Sequence, residues 1–408
     1  MNNKFRTCLG LALFSQIALV GQAAAADSCG RVEGFYATWD GALGSSLPVS
    51  EIDTKRLTHV LVAFAAPLAD GSMNTDDADV VIDELVAKAH ADNTGVFISV
   101  GGAGANFLTL DEAALSALTA NIVDYVALHN LDGVDIDWES WSTHGAPNPV
   151  ESEKLLGFLA EIRAALPAQL ELSVDVQAGG WSGVNFHEDL DEHADIVRFM
   201  AFNYSGGWGS SPIKHHAAWD DIHGALTATW EGSHSMIMKY DVAQTSIGVP
   251  FYNLVFNNGS NSSVQAVSAG EIVNTLVDGL GVDYNAGSYD LNGDLYFWET
   301  PELVKTKAQF ASDNDYPGVF IWELHQDSAD VSNQLLGHIG EVLPKCSACE
   351  NKWAPYPTIY YGGEVVEFEG HNYQVAGGPL YSVRPNTPGH AHRYVDLGPC
   401  KNFVASSL

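Results

Sequence analysis

The stretch "DGVDIDWE", residues 132–139, carries four carboxylates interleaved with valine, isoleucine and tryptophan. A run of acids on a solvated loop has no use for such partners. Side chains along a β-strand alternate between two faces. On a strand, Asp135, Asp137 and Glu139 share one face while Val134, Ile136 and Trp138 take the other. The apolar face reads as packed under helices and the acidic face as turned into an enclosed space. Asp132 has the opposite parity, at the start of the strand, and reads as structural.

Similar apolar runs recur on both sides of it: "RVEGFYATW" from 31, "THVLVAFAA" from 58, "GVFISVGG" from 95, "LELSVDVQ" from 170, "IVRFMAFNY" from 196, "TSIGVPFY" from 245 and "GVFIWEL" from 318. Between them lie "DADVVIDELVAKAHAD", "LSALTANIVDYVALHN", "SEKLLGFLAEIRAAL" and "PELVKTKAQFAS", whose apolar residues return three and four positions apart. That spacing marks amphipathic helices. Strands alternating with helices predict an α/β chain, a (β/α)8 TIM barrel, with "DGVDIDWE" as its fourth strand. An open doubly wound sheet is the competing architecture, but no Gly-rich nucleotide loop follows the first strand. The acidic face then steps toward the C-terminal rim, where barrels of this kind place their active sites. From Cys346 the helical period disappears. "ENKWAPYPTIYYGGEVVEFEGHNYQV" is rich in aromatics and glycine and reads as a small all-β module. The expected divisions are a signal peptide over 1–26, a catalytic barrel over 27–345 and the β module over 346–408.

Lys4 and Arg6 precede the apolar run "CLGLALFSQIALVG", which gives way to "QAAAAD". That is the pattern of a secretory signal cut after Ala26, and the expected location is extracellular or periplasmic. Cys29, Cys346, Cys349 and Cys400 would remain, an even set that suits two disulfides in an exported chain, with the pairing open. With 18 basic against 51 acidic residues the net charge is −33. Such a surface repels nucleic acid and anionic membranes. A monomer without cofactor or metal is expected.

Carboxylates this close cannot all ionise in a buried site, because mutual repulsion and burial both favour the protonated form. Glu139, outermost, is then placed to act as a general acid. Asp137 would hold a proton between its neighbours, and Asp135 would sit deepest. A hard-cation site is the rival reading of the same oxygens, and a charged surface turn is the bland one. The interleaved apolar residues speak against the turn.

The run resembles the DxxDxDxE signature of glycoside hydrolase family 18, the chitinases and their relatives. "SVGG" (99–102) is similar to the family's segment on strand three, "GVPFY" (248–252) to that on strand seven and "GVFIWEL" (318–324) to that on strand eight. The resemblance implies retaining hydrolysis without an enzyme nucleophile, an exception to the two-carboxylate scheme. Glu139 would protonate the glycosidic oxygen while the 2-acetamido oxygen of the substrate attacks C1. Asp137 would orient the acetamido group, and Asp135 would exchange a proton with Asp137, supported by Ser99. Trp322 would floor the pocket, and Phe35, Met200, Asn203, Tyr204 and Tyr252 would line it. A tryptophan at a strand end is more often core, and only the motif assigns Trp322 to the pocket. Strand six departs from the family's common M-x-Y-D: Phe202 lacks the hydroxyl and Asn203 the charge. Tyr204 or Tyr252 is expected to supply the missing hydroxyl. The segment 253–317 must hold a helix, which leaves little room for an extra subdomain. A shallow, endo-acting cleft follows.

The tail resembles the small chitin-binding modules of carbohydrate-binding families 5 and 12 through Trp353, Tyr360, Gly363, Val366, Gly370 and Tyr373, with Tyr381 as the remaining candidate for sugar stacking. The same aromatics would serve equally as the core of a tiny domain. The leading expectation is a secreted chitinase acting on chitin or N-acetylglucosamine oligosaccharides. The alternatives are an endo-β-N-acetylglucosaminidase acting on N-glycans or peptidoglycan, and a chitin-binding lectin that does not cut.

Overall fold

The eight apolar runs form parallel strands: β1 (Arg31–Ala37), β2 (His59–Pro67), β3 (Gly95–Gly101), β4 (Gly133–Asp137), β5 (Glu171–Gln177), β6 (Ile196–Met200), β7 (Thr245–Pro250) and β8 (Gly318–Trp322). The computed structural model describes residues 30–39, 47–177, 179, 181–227, 239–347, 352–354, 358–369, 371–381, 383–385 and 391–400. The expected signal peptide lies outside these residues. Gly34 of β1 sits opposite Val60 of β2 on one side and Ile321 of β8 on the other, so the sheet closes on itself. Every neighbouring pair around the ring is parallel. The (β/α)8 barrel read from the alternation is the fold observed.

Helices α1 (Asp76–Ala91), α2 (Glu112–Leu128), α3 (Pro149–Ala165), α4 (Trp219–Thr227), α5 (Pro301–Asp313) and α6 (Leu335–Val342) surround the ring. Each buries the stripe its sequence marks. In α1 this is Ala78, Ile82, Leu85, Val86 and Ala89, with Asp76, Asp77 and Asp79 facing the positive end of the helix dipole. Capping side chains fix three starts: Asp111 for α2, Asn148 for α3 and Thr300 for α5. Pro149 and Pro301 follow two of these caps, where a missing N–H costs nothing. The β5–β6 connection carries only short 3-10 turns at Gly183–Asn185 and Leu190–Glu192.

Between β7 and β8 the structure corrects the expectation of little room for a subdomain. Strands Tyr252–Phe256, Val264–Ser268, Ser288–Leu291 and Asp294–Phe297 form a four-stranded antiparallel sheet, with α5 following it. Extended chain rises about 3.3 Å per residue against about 1.5 Å in a helix, so short hairpins build a wall from few residues. The Asn261 amide, from the turn of one hairpin, donates to the Ser211 carbonyl at 3.0 Å and so braces the loop after β6.

Beyond α6 the Lys345 ammonium donates to the Thr54 carbonyl (3.0 Å), the Asp92 carbonyl (2.7 Å) and the Thr94 hydroxyl. This seats the outgoing chain against the N-terminal ends of β2 and β3. Two small antiparallel sheets follow: Ile359–Tyr360 with Leu380–Tyr381, and Val365–Phe368 with His371–Val375 and Tyr394–Pro399. Their core is Val366, Val375, Leu380 and Tyr394, against which Trp353, Tyr360 and Tyr373 pack. The Tyr360 hydroxyl accepts from the Ala354 N–H at 2.7 Å, and the Tyr373 ring meets Tyr394 edge-on. These three aromatics of the expected sugar face are therefore engaged in packing. Tyr381 lies in a strand opposite Ile359, and its side chain is outside the described part.

Candidate active site

Strand β4 sorts its two faces as alternation requires. Val134, Ile136 and Trp138 are fully buried on the outside of the barrel, where Trp138 stacks on Phe107 at 4.5 Å and meets Phe158 of α3. Asp135 and Asp137 are buried on the inside, and Glu139 is half-buried just past the strand. Gly101 makes their close seating possible. A Cβ there would lie 2.0 Å from the Asp137 carbonyl oxygen, and the next residue, Gly102, donates its N–H to that oxygen at 3.0 Å.

The deepest layer is an ion network. Register places Ser99, Asp135 and Ser173 side by side on β3, β4 and β5. Ser99 Oγ donates to Asp135 Oδ2 at 2.6 Å, Ser173 Oγ to Asp135 Oδ1 at 2.8 Å, and Arg198 Nη1 to the same oxygen at 2.7 Å. Arg198 reaches on to Glu33, through Nε at 3.2 Å and Nη2 at 2.5 Å, and Arg31 donates to Glu33 at 2.7 Å and pairs with Glu171. Arg198, Glu33 and Asp135 are wholly buried, so each depends on the others for its charge. Despite the cost of burial, Arg198 and Arg31 hold the Glu33 carboxyl far below the usual range.

Above that layer the carboxyls lose their cations. Burial, then repulsion by Glu139 and Asp135, pushes Asp137 well above the usual carboxylate value. Its Oδ1 is buried without a hydrogen-bond partner among the described residues. Asp175 on β5, opposite Arg198 in register, is likewise raised, by burial and by Asp135 and Asp137. Burial raises Glu139 too, while Gln177 Nε2 donates to its Oε2 at 2.7 Å and favours the ionised form.

These acids open into a cavity of about 780 Å³, whose lining includes Asp137, Glu139, Asp175, Gln177, Met200 and Trp322. Trp322 lies between Phe64, stacked at 5.7 Å, and Phe35, edge-on at 5.3 Å. Phe35, Phe202, Asn203 and Tyr252 also face the cavity, with Trp181 and Trp208 at its edges. The Tyr252 hydroxyl donates to Asn203 Oδ1 at 2.5 Å. His216 holds both residues in place: its Nδ1 accepts from the Asn203 N–H at 3.3 Å, so its Nε2 carries the proton and donates to the Tyr252 carbonyl at 3.1 Å. Burial pushes this imidazole down to about 3, which keeps it neutral.

Of the residues singled out from sequence, Asp137, Glu139, Phe35, Met200, Asn203, Tyr252 and Trp322 gather at this cavity, with Asp135 and Ser99 beneath it. Tyr204 does not join them. Its hydroxyl is buried, and it is absent from the lining. Of the two tyrosines expected near Asn203, Tyr252 is the one that reaches it. Glu33, Asp175, Gln177 and Arg198 were missed, although "RVEGF", "SVDVQ" and "VRFM" alternate as "VDIDWE" does. Among the described residues no group of His, Cys, Asp and Glu is arranged to hold a metal ion.

Residues 31–327, which hold all eight barrel strands, match the family model for glycosyl hydrolases family 18. The chain is 24% identical to Endochitinase 1 of Metarhizium anisopliae over 79% of its own length and 87% of that protein. It is 26% identical to a chitinase-like effector of Moniliophthora perniciosa over 56% of this chain and 54% of that protein. A chitinase from Bacteroides thetaiotaomicron has the same fold, with a TM-score of 0.63, 23% identity and coverage of 78% of this chain and 97% of that one. On the extent of the family match, all eight barrel strands included, the chain belongs to glycosyl hydrolase family 18.

Proposed function

We propose that the protein is a chitinase that cleaves β-1,4 bonds between N-acetylglucosamine units by substrate-assisted, retaining catalysis. The observation that carries this is Glu139: a carboxyl at the cavity rim, raised by burial, with the raised Asp137 beneath it. A carboxyl whose protonated form is favoured by burial can deliver that proton to a leaving oxygen. The acetamido oxygen of the sugar in the pocket then attacks C1, and Asp137 orients that group and offsets the charge it gains. The Tyr252–Asn203 pair offers the acetamido carbonyl a wall in place of the hydroxyl that Phe202 lacks. Trp322, held edge-on by Phe35, provides a flat apolar face under the ring.

The sheet over 252–297 removes the argument for internal cleavage from a missing subdomain, and what supports that mode is the exposed Trp181 and Trp208, which extend the sugar-binding surface past the acids. We place the protein outside the cytoplasm: Cys346 and Cys400 are disulfide-bonded, which suits an oxidising compartment. No helix among the described residues is long and apolar enough to cross a membrane. For the C-terminal sheets, the inward packing of Trp353, Tyr360 and Tyr373 favours a structural role over a sugar grip.

Product analysis on chitin oligosaccharides tests the assignment, with release of short N-acetylglucosamine oligomers expected. Glu139→Gln should lower turnover by about 10²-fold or more while binding persists. The similarity to a chitinase-like effector favours one other reading, a sugar-binding protein without hydrolysis. A wild-type chain that binds these oligomers and leaves them intact establishes that reading instead.

A further inference from the structure

His216 is wholly buried and absent from the cavity lining, yet it grips two residues that do line it. Asn203, three residues past β6, has φ +61, a left-handed conformation that asparagine tolerates better than most side chains. The bend leaves two consecutive N–H groups to be satisfied, and His216 takes both. Its ring Nδ1 accepts from the Asn203 N–H at 3.3 Å, and its carbonyl accepts from the Tyr204 N–H at 2.8 Å. A ring nitrogen that accepts carries no proton, so Nε2 is the donor, and it donates to the Tyr252 carbonyl at 3.1 Å. The Tyr252 ring lies 4.5 Å from the imidazole, and the His215 ring lies parallel to it at 5.4 Å.

Tyr252 is the first residue of the antiparallel sheet that follows β7, and Asn203 belongs to the loop that follows β6. At the cavity their side chains meet through one bond, from the Tyr252 hydroxyl to Asn203 Oδ1 at 2.5 Å. A lone side-chain bond at a wetted wall exchanges readily with water and does not by itself fix a spacing. The backbones behind it must do so. We propose that His216 is a positioning residue: its neutral ring ties the exit of β6 to the exit of β7, so that the hydroxyl–amide pair keeps its spacing while the acetamido group of the sugar is aligned for attack on C1. The same loop is tied to the sheet a second time, by the Asn261 amide on the Ser211 carbonyl, and Ser211 in turn donates its N–H to the Trp208 carbonyl at 2.9 Å. His216 thus fixes the stretch that carries Asn203, and Asn261 the stretch that carries Trp208.

This inference rests on the hydrolase reading for its kinetic test only. His216→Phe keeps a ring of similar size and loses both ring hydrogen bonds. Its kcat on a soluble chitin oligosaccharide should fall about tenfold or more with KM little changed, because Trp322 still floors the sugar while the reacting group is misplaced. His216→Gln keeps one acceptor and one donor and should recover most of that loss. Tyr252→Phe removes the pair itself, so adding His216→Phe to it should cost little more. Additive losses in that double variant, equal losses in His216→Phe and His216→Gln, or a loss confined to KM each overturn the proposal. Should His216→Phe fail to fold, His216→Gln decides against Tyr252→Phe: a faster glutamine variant supports the clamp, and one equally slow overturns it. A crystal structure of the His216→Phe protein, or of His216→Gln in its place, needs no turnover. Separation of Tyr252 from Asn203 is expected with phenylalanine and an intact pair with glutamine, and the reverse of either overturns the proposal. If the wild-type chain proves inactive on chitin, the hydrolase reading fails and this structural readout still decides the role of His216.

Discussion

Glu139 takes its character from two opposing neighbours. Burial favours its protonated form, and the Gln177 amide, at 2.7 Å, favours the ionised one. Removing the amide leaves burial unopposed. Gln177→Ala should therefore raise the carboxyl further and carry the alkaline limb of the kcat/KM profile to higher pH, a change read directly from rates across pH. A limb that stays in place or moves down rules out the amide as the group that tunes the acid. The same residue marks where sequence reading stopped. The rule that gathered Asp135, Asp137 and Glu139 on one face also gathers Ser173, Asp175 and Gln177, and it gathers Arg31, Glu33 and Phe35 on β1. Nothing in composition says that Arg198, inside an apolar run, meets Glu33 across the barrel. That contact is made only when the ring closes, so it was not legible in a linear pattern.

At the scale of elements, the barrel strands were legible because each is an apolar run bounded by turns and separated from the next by a helix-length segment. The sheet over 252–297 was not. Its strands are four or five residues long, and only Tyr252–Phe256 is mostly buried, so they are too short for alternation to separate them from loop. The loops after β4 and β5 escaped for another reason, since their order comes from each other. The Gly145 N–H donates to the Trp181 carbonyl at 2.6 Å, His144 lies parallel to the Trp181 ring at 5.2 Å, and the His144 ring meets the Ser182 hydroxyl at 3.1 Å. One face of the indole is thus backed by imidazole while the residue stays 70% exposed at the cavity edge. Trp181→Ala should raise KM for long chitin oligomers roughly fivefold, the worth of about 1 kcal/mol of ring contact. Substrates too short to reach it should be unaffected. An equal rise for short and long substrates would mean that the loop, and not the ring face, was lost.

For the whole molecule, the buried ionisable groups set a dependence of stability on pH. Burial pushes Glu323 up to about 7 and Asp327 up to about 6, and it raises Asp137 and Asp175 further above their usual value. A carboxyl raised on folding contributes fully below its unfolded value, and that contribution is lost as pH climbs through the folded one. The buried histidines oppose this at lower pH: His59, His215 and His216 are held below the ordinary 6.5, so their contribution grows up to that value and then stops. Lys239 and Lys345, lowered by burial to about 8, begin to favour the folded chain only above it. Between pH 6.5 and 8 the carboxyls act almost alone, and Tm should fall across that interval in scanning calorimetry. A Tm that climbs there would show that these carboxyls do not reach the folded chain with their protons. The ammonium of Lys345 has a spatial consequence as well. It pegs the departing chain to the base of the barrel, while Glu139 stands at the opposite end. The C-terminal sheets thus join the barrel at the end away from the acids, so a change in their packing should reach the thermal stability of the chain before it reaches the cavity.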